Sequence, residues 1–527
     1  SDTVQNLDNS FSTALMIEPE MKNDPFIKSQ IYSMIRKRID DAKVGVLNVP
    51  ANYSLVSGDP YSLCQSMFGL KVTGLLKSGE VYSKYWIDKG IDQIVSFRAP
   101  MTSHNNIRKL NVVHNEKMDE FYKYMTTPTI FNSWDTCADA MNGFDKDGDC
   151  VINTSLPLLV KKTQELPAVV CVQRKAPKCI PTEDDIMKSN INSFGNAVGA
   201  VTNKITSMFE VQANFPKDSR EYRILDYRIK CGQLYQQNSI DKTKGIESKP
   251  MPSEWYNWIA NKISNGKSSS EKKKYWMNRK LVADKKPYFM QYIYPAEKTK
   301  MLEYIKRNNE KCIMKFRITL DELLEKETLT LDEEKFIQCY YKRMPLGMSP
   351  CTINKICWAI ENKFSDLRYV NDSDFDYSIM KCNVVYSKQL FNKIKKIYES
   401  YKKELSNYMQ FAKSERIKSD ERQIQKYTLK EDFKRRCLEQ CPNEEYLCDI
   451  VLDLCYSKSK SSKQFAWDIC GDMIISNLLK RNNYKVTYPT QDINGDIDFA
   501  GKKFSLETTE IKFDMGIKDE EDDEWLY

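Results

Sequence analysis

Histidine is nearly missing from this chain of 527 residues: only His104 and His114 occur. That scarcity all but removes Cys/His zinc fingers. Cys-x-x-Cys pairs are missing too, although 16 cysteines are scattered from Cys64 to Cys470. The arrangement left for zinc is Cys437, Cys441, Cys448 and Cys455, and that spacing suits packing on helices better. No apolar run approaches the ~20 residues that a bilayer span requires, and the N-terminus lacks the apolar core of a signal peptide. No membrane partner is therefore expected. With 18 Gly and 19 Pro, collagen-like and low-complexity classes are excluded. Scattered thiols at this density fit a reducing compartment, so a cytoplasmic location is expected.

What is present describes a globular chain. Apolar residues make up 41% and charged residues 29%, and at roughly 150 residues per domain the length implies about three or four domains. The net charge of +7 is compatible with a nucleic-acid partner and weak as a sign of one. Residues 1–43 read as a polar lead-in followed by a helix, with Ile27, Ile31, Met34, Ile35 and Ile39 at helical spacing. Residues 44–156 change texture. Short β-prone runs (Val44–Val49, Val72–Leu76, Ile94–Phe97) alternate with turn residues, and a helix is expected near Glu116–Met125. Residues 157–260 should be partly helical, including a stretch at 183–212. A helical domain is expected over 261–413, where Leu390, Ile394, Ile397, Tyr398, Tyr401, Leu405 and Tyr408 make one apolar stripe. Residues 414–426 read as a linker and 427–514 as a small α/β domain with Asn494-Gly495 at a turn; 515–527 form an acidic tail. The fold class is α+β.

The sharpest feature is Phe144-Asp145-Lys146-Asp147-Gly148-Asp149-Cys150. Carboxylates this close repel one another, and a hard divalent cation is the natural neutraliser. A calcium EF-hand also opens Asp-x-Asp-x-Asp, but it needs Gly at its sixth position and Glu at its twelfth. Counted from Asp145 those positions hold Cys150 and Leu156. A metal-free surface turn is the plain alternative, because acids are common in turns. The catalytic reading is a magnesium site, with manganese as its substitute, whose open positions take substrate phosphates.

Asp-x-Asp-Gly-Asp resembles the catalytic loop of the double-psi β-barrel RNA polymerases. That superfamily includes the multisubunit cellular enzymes, the RNA-silencing RNA-dependent polymerases and single-chain phage relatives. Upstream, Arg98-Ala99-Pro100-Met101-Thr102-Ser103-His104 is similar to an Arg-Ala-Pro segment of the large cellular subunit, and Asn105-Asn106-Ile107-Arg108 resembles its continuation in the silencing enzymes. Downstream, Asp241-Lys242-Thr243-Lys244-Gly245 resembles their Asp-x-x-Lys-x-Gly segment. The phage-type or mobile-element branch looks nearest, which implies a bacterial or phage-infected cell.

The resemblance implies a double-psi barrel over 44–156, with about His104–Met125 protruding as an insertion, followed by helical domains and the small α/β domain. It implies Asp145, Asp147 and Asp149 as metal ligands and catalytic residues, converging on one point. Arg98 would meet the nucleotide ribose and His104 a phosphate; Phe97 stands where the cellular subunit has Asn. Partners would be a nucleic-acid template, an RNA product and nucleoside triphosphates. The family uses two barrels, and the other supplies lysines for the triphosphate. Residues 1–43 are too short to hold it, so a missing N-terminal region or second polypeptide is expected, and this chain alone should bind metal without polymerising. A non-catalytic nucleic-acid-binding subunit is the alternative.

Further basic residues are candidates for nucleic-acid contact: Arg174, Lys175, Lys178, Lys242 and Lys244, and Lys272, Lys273, Lys274 and Arg279 interleaved with Tyr275 and Trp276. The stretch Asn192–Phe209, with Gly195, Gly199, Thr202 and Thr206, invites comparison with the helix that bridges polymerase active sites. A minor competitor lies in the C-terminal domain, where Asp496, Asp498, Glu510 and Lys512 resemble a restriction-type nuclease core.

Overall fold

The computed structural model describes residues 10–178, 180–193, 197–257, 268–370, 375–414, 419–458, 461–499 and 501–511. The chain divides into two compact units, one of residues 39–365 and one of residues 1–38 with 366–527.

The first unit contains a closed barrel of six short strands: β1 (Ala51–Gly58), β2 (Glu80–Tyr82), β3 (Gln93–Phe97), β4 (Arg108–Val112), β5 (Thr129–Phe131) and β6 (Cys150–Thr154). Around the barrel the order is β1-β5-β2-β4-β3-β6. Two contacts are parallel, β1 with β5 and β2 with β4; β1–β6, β2–β5, β3–β4 and β3–β6 are antiparallel. Exchanging β1 with β4, β2 with β5 and β3 with β6 returns the same pairing. Two interlocked three-strand units therefore close on each other, which is the double-psi arrangement. Closure leaves no free edge. Val56, Val81, Ile94, Leu110, Phe131 and Val151 fill the interior with Trp86, Met141 and Phe144. Each such side chain contributes about 1.5–3 kcal/mol by leaving water.

Three expectations for this region need correction. Arg108–Val112 lies in the barrel wall, not in an insertion: Arg108, Leu110 and Val112 are buried at alternate positions, and β4 pairs with both β2 and β3. The helix that does form beyond it is Glu116–Tyr122. Val72–Leu76 is not a strand, because side chains take its amides. The Gln65 carbonyl oxygen accepts from Thr73 and Gly74, and the Asp59 carboxylate, which also caps the helix Pro60–Met67, accepts from Leu75. Val44–Val49 likewise forms no strand.

After the barrel the unit is helical. Glu183–Ser193 and Ala197–Gln212 fall where a helical stretch is expected, and Arg220–Ile240 packs on the latter through Ile205, Met208, Leu225 and Ile229. Farther along, Pro295–Phe316, Leu320–Glu325 and Leu331–Arg343 share a core of Met301, Cys312, Leu323 and Tyr340.

The second unit is a helical cluster of Ser10–Ile17, Lys388–Ser414, Ser419–Gln440, Glu444–Tyr456 and Lys463–Arg481, with an antiparallel sheet of β7 (Lys485–Gln491), β8 (Ile497–Phe499) and β9 (Lys502–Glu510) in the order β7-β9-β8. Ile394, Tyr398 and Tyr401 of the expected apolar stripe are buried. The stretch read as a linker is helical at Ser414 and from Ser419 onward. Cys437, Cys441, Cys448 and Cys455 are buried free thiols in the apolar core, which is helix packing, not zinc ligation. Asp24 lies in the same core and accepts hydrogen bonds from Tyr456 and Trp467. Lys512 and the acidic tail lie outside the described residues. No described helix is long and apolar enough to cross a membrane.

Candidate active site

Phe144 sits in the barrel interior and anchors the chain just before the acidic loop. The loop then emerges, with Asp145 and Asp147 exposed and Asp149 half-buried, before β6 returns the chain to the wall. Its turn depends on Gly148, whose φ of +127° is a conformation that side chains strain to adopt. The far end is tied down when the Val56 amide of β1 donates to the Asp149 carbonyl at 2.9 Å. The Asp149 carboxylate closes the loop from inside, because its Oδ2 accepts the Asp145 amide at 2.7 Å.

Register explains how Arg98 reaches this loop from 51 positions away in sequence. β3 and β6 run antiparallel with Phe97 opposite Ile152, so the residue leaving β3 stands beside the chain entering β6. Arg98 Nη2 donates to Asp149 Oδ1 at 2.7 Å, and Nη1 lies 3.4 Å from the Asn142 carbonyl. The pair is largely enclosed, with side-chain exposures of 15% and 25%. On the other flank Lys244 Nζ donates to Asp145 Oδ2, and that bond raises the lysine pKa. Lys244 ends a short helical turn, Asp241–Lys244, that directly follows the Arg220–Ile240 helix.

The three carboxylates do not meet at one point. Among the described residues the group of side chains close enough to share an ion is Cys382, Cys448 and Asp449, far from this loop in sequence. Like charges in the loop repel, and Arg98 and Lys244 each pair with one carboxylate. The donor set nonetheless suits a hard cation. Its oxygens are carboxylates, and two of the three aspartates already pair with a positive side chain. Cys382, Cys448 and Asp449 suit one poorly. Both Asp449 oxygens accept backbone amides, from Cys382 and Val384 at 2.8 Å each. The Cys448 contact and burial push the Cys382 thiol up, and, against the lowering contact with Cys382, Cys470 and burial push the Cys448 thiol up.

The segment between Arg98 and Arg108 is mostly scaffold. Asn106 Oδ1 accepts the amides of Thr102 and Ser103, and its Nδ2 donates to the Ala140 carbonyl at 2.5 Å. Asn142, at φ +60°, donates to the Pro100 carbonyl and to Gln236. Arg108 is buried against the Asn105 carbonyl and Glu165. His104 is exposed, with its ring 5.4 Å from Phe209 of the Ala197–Gln212 helix, so an aromatic contact is what holds it. In that helix the Thr202 and Thr206 hydroxyls bond back to the preceding turn, and Gln236 donates to Thr202; Gly195 lies outside the described residues. Sequence reasoning missed Asn142, Gln236 and Gln237. Gln237 packs on Gly143, and its Oε1 is buried without a hydrogen-bond partner. The legible signal was Asn142-Gly143, a turn dipeptide directly before the loop.

Several basic candidates are brought together. The Ala176 amide donates to the Gly245 carbonyl and Glu247 to the Arg174 carbonyl, so the exposed Arg174 and Lys175 lie beside the turn carrying Lys242 and Lys244. Lys178 is exposed a few residues on. Lys272 and Arg279 belong to a separate helix, Ser269–Lys280, which Arg228 joins to the Arg220–Ile240 helix through Asn278. Arg279 lies against Tyr275 and Trp276 of its own helix. The side chains of Lys273 and Lys274 lie outside the described residues. The nuclease-like set is dispersed. Asp498 pairs opposite Lys503 at one end of β9, and Glu510 pairs opposite Lys485 at the other.

Comparison with known proteins finds polymerases. The DNA-directed RNA polymerase YonO of Bacillus phage SPbeta is 29% identical over 208 residues, 38% of this chain. The chain resembles the double-psi β-barrel RNA polymerases. It spans about a quarter of that polymerase, 24% of its length. The RNA dependent RNA polymerase QDE-1 from Thielavia terrestris aligns with 91% of this chain and 51% of its own, at 11% identity and a TM-score of 0.31, too low to equate the two folds. No family model matches the chain.

Proposed function

We propose that this chain carries the metal-binding barrel of a template-directed RNA polymerase, which joins a nucleoside triphosphate to an RNA 3′ end and releases pyrophosphate. The observation that carries the reading is the Arg98–Asp149 pair. A strand end and an acidic loop 51 positions apart are joined at the barrel mouth. Asp145, Asp147 and Asp149 would hold magnesium, with manganese able to replace it. Bound there, the ion would activate the RNA 3′-hydroxyl and neutralise charge on the transferring phosphoryl group.

The chain's own residues position and neutralise. Asp147 is exposed and makes no ion pair among the described residues, so it presents the loop's free carboxylate. Arg98 fixes Asp149 and offers the remainder of its guanidinium to the ribose of an incoming nucleotide. Lys244, with Lys242, Arg174 and Lys175 nearby, offers charge for the polyphosphate or the nucleic-acid backbone. The reading includes a second barrel, from further chain or another polypeptide, to supply the family's triphosphate-binding lysines.

The test is incorporation of labelled nucleotide on DNA and RNA templates by the full-length protein together with its second barrel. Wild type should extend an RNA primer while Asp147→Ala does not. Equal incorporation by both proteins contradicts the assigned site. Salt-sensitive binding without extension by either would favour a nucleic-acid-binding subunit.

A further inference from the structure

Away from the acidic loop, the helices Pro295–Phe316 and Leu331–Arg343 enclose a cleft of about 310 Å³. Each helix contributes four residues at the same spacing, which places them on one face. The first gives Tyr304, Arg307, Asn308 and Lys311, and the second gives a matching stripe from Phe336 to Arg343. Three of the lining side chains are cations and none is an acid. None of Arg307, Lys311 and Arg343 makes an ion pair among the described residues, although Glu303 and Glu310 flank the first stripe. Three cations around one cleft repel one another, and an entering anion relieves that repulsion. The floor is aromatic: the Tyr304 and Tyr340 rings stack at 5.5 Å and 21°, locked by the Tyr304 hydroxyl donating to the Tyr340 carbonyl. Asn308 donates its amide N–H to the Tyr304 carbonyl, which fixes the side chain and leaves its oxygen as an acceptor.

A flat ring system with phosphate attached satisfies all three features. The aromatic wall takes the ring, the cations take the phosphate, and the amide oxygen meets a base edge. We propose that this cleft is a second binding site for a nucleoside phosphate, either a free nucleotide or one unit of a single strand. The site is independent of the acidic loop and needs no metal.

The test uses the full chain in EDTA, which removes any contribution from divalent ions. Two probes are titrated: adenosine monophosphate and a fluorescein-labelled twelve-residue oligouridylate. The comparison protein carries Arg307→Gln, Lys311→Gln and Arg343→Gln. All three positions are exposed, and a single Lys311→Gln variant gives a graded control should the triple variant unfold. The triple variant should bind at least one probe about tenfold more weakly, and Lys311→Gln should fall between. If the oligonucleotide is the occupant, its log-affinity against log-salt slope should shrink by about 2, at roughly 0.7 for each phosphate that is no longer neutralised. Weakening confined to the monophosphate identifies a free nucleotide as the occupant. EDTA removes the divalent ion on which the polymerase reading depends, so this result stands or falls apart from that reading. Equal binding of both probes by wild type and both Gln variants, including no binding by any, overturns the proposal.

Discussion

Two acidic constellations look alike in the sequence, and folding treats them oppositely. In the barrel, Asp149 leads into β6, and the β3–β6 register brings Arg98 alongside it. In the C-terminal sheet, Asp498 and Glu510 lie only 12 positions apart in sequence. There the β8–β9 register sets Asp498 opposite Lys503, and Glu510 follows seven residues along the same strand, roughly 23 Å at about 3.3 Å per residue. Closeness along the chain is therefore a poor guide to a site, and strand register decides. Closure makes the barrel's register hard to slip. β6 is pinned on both sides, with Leu55 opposite Cys150 on one and Phe97 opposite Ile152 on the other. β8 has a single neighbour.

The largest effect should separate the two constellations directly. In the assay that includes the second barrel, Asp147→Ala should lower nucleotide incorporation by about a hundredfold to a thousandfold, the range for losing one charge-stabilising group in a site. Asp498→Ala should leave incorporation unchanged. Equal losses would erase the distinction.

Stability should divide the regions in the same way. Ile94 is fully buried in the barrel, so Ile94→Ala should cost about 2–5 kcal/mol in urea unfolding. Leu506 of β9 is 63% exposed, and Leu506→Ala should stay within about 0.5 kcal/mol.

A third contrast sets the exposed loop against Asp24, a carboxylate in the helical core. Burial raises the Asp24 pKa from 3.8 to about 6, against the lowering effect of hydrogen bonds from Tyr456 and the Ile27 amide. The folded state thus holds this proton more tightly than the unfolded chain. Its contribution is complete below about pH 4 and is lost as pH rises through about 6. Between pH 7 and pH 4 the wild type should gain up to about 3 kcal/mol relative to Asp24→Asn, read from urea midpoints of both proteins across that range. Parallel pH profiles would contradict it.

A last contrast concerns the turn. Gly148→Ala places a side chain at φ +127°, where space is open and only the backbone is strained. It should cost about 1–3 kcal/mol and weaken divalent binding. Gly501→Ala, in the β8–β9 turn at φ +75°, should cost about 1–2 kcal/mol and leave divalent binding unchanged.

Much of the barrel was legible because its strands are short apolar runs between turn residues, as at Ile94–Phe97, and because the acidic loop is dense in one kind of charge. β4 was not, since Arg-Lys-Leu-Asn-Val hides a buried arginine whose Nη atoms meet the Asn105 carbonyl and Glu165. Val72–Leu76 misled for the opposite reason, as its amides go to Gln65 and Asp59 and not to a partner strand. In the site, Arg98 could be anticipated from the motif around it. The Lys244 contact with Asp145, 99 positions away, depends on how a helix end is aimed and left no local trace. The same contact helps explain why the carboxylates spread instead of converging.

The central claim is that Asp145, Asp147 and Asp149 form one divalent-cation site at the barrel mouth. Manganese titration followed by electron paramagnetic resonance tests it on the chain itself, without any need for polymerisation. Wild type should bind one manganese ion that magnesium displaces, and the triple variant Asp145→Asn, Asp147→Asn, Asp149→Asn should bind it at least tenfold more weakly. A variant that binds manganese as tightly as wild type contradicts the account.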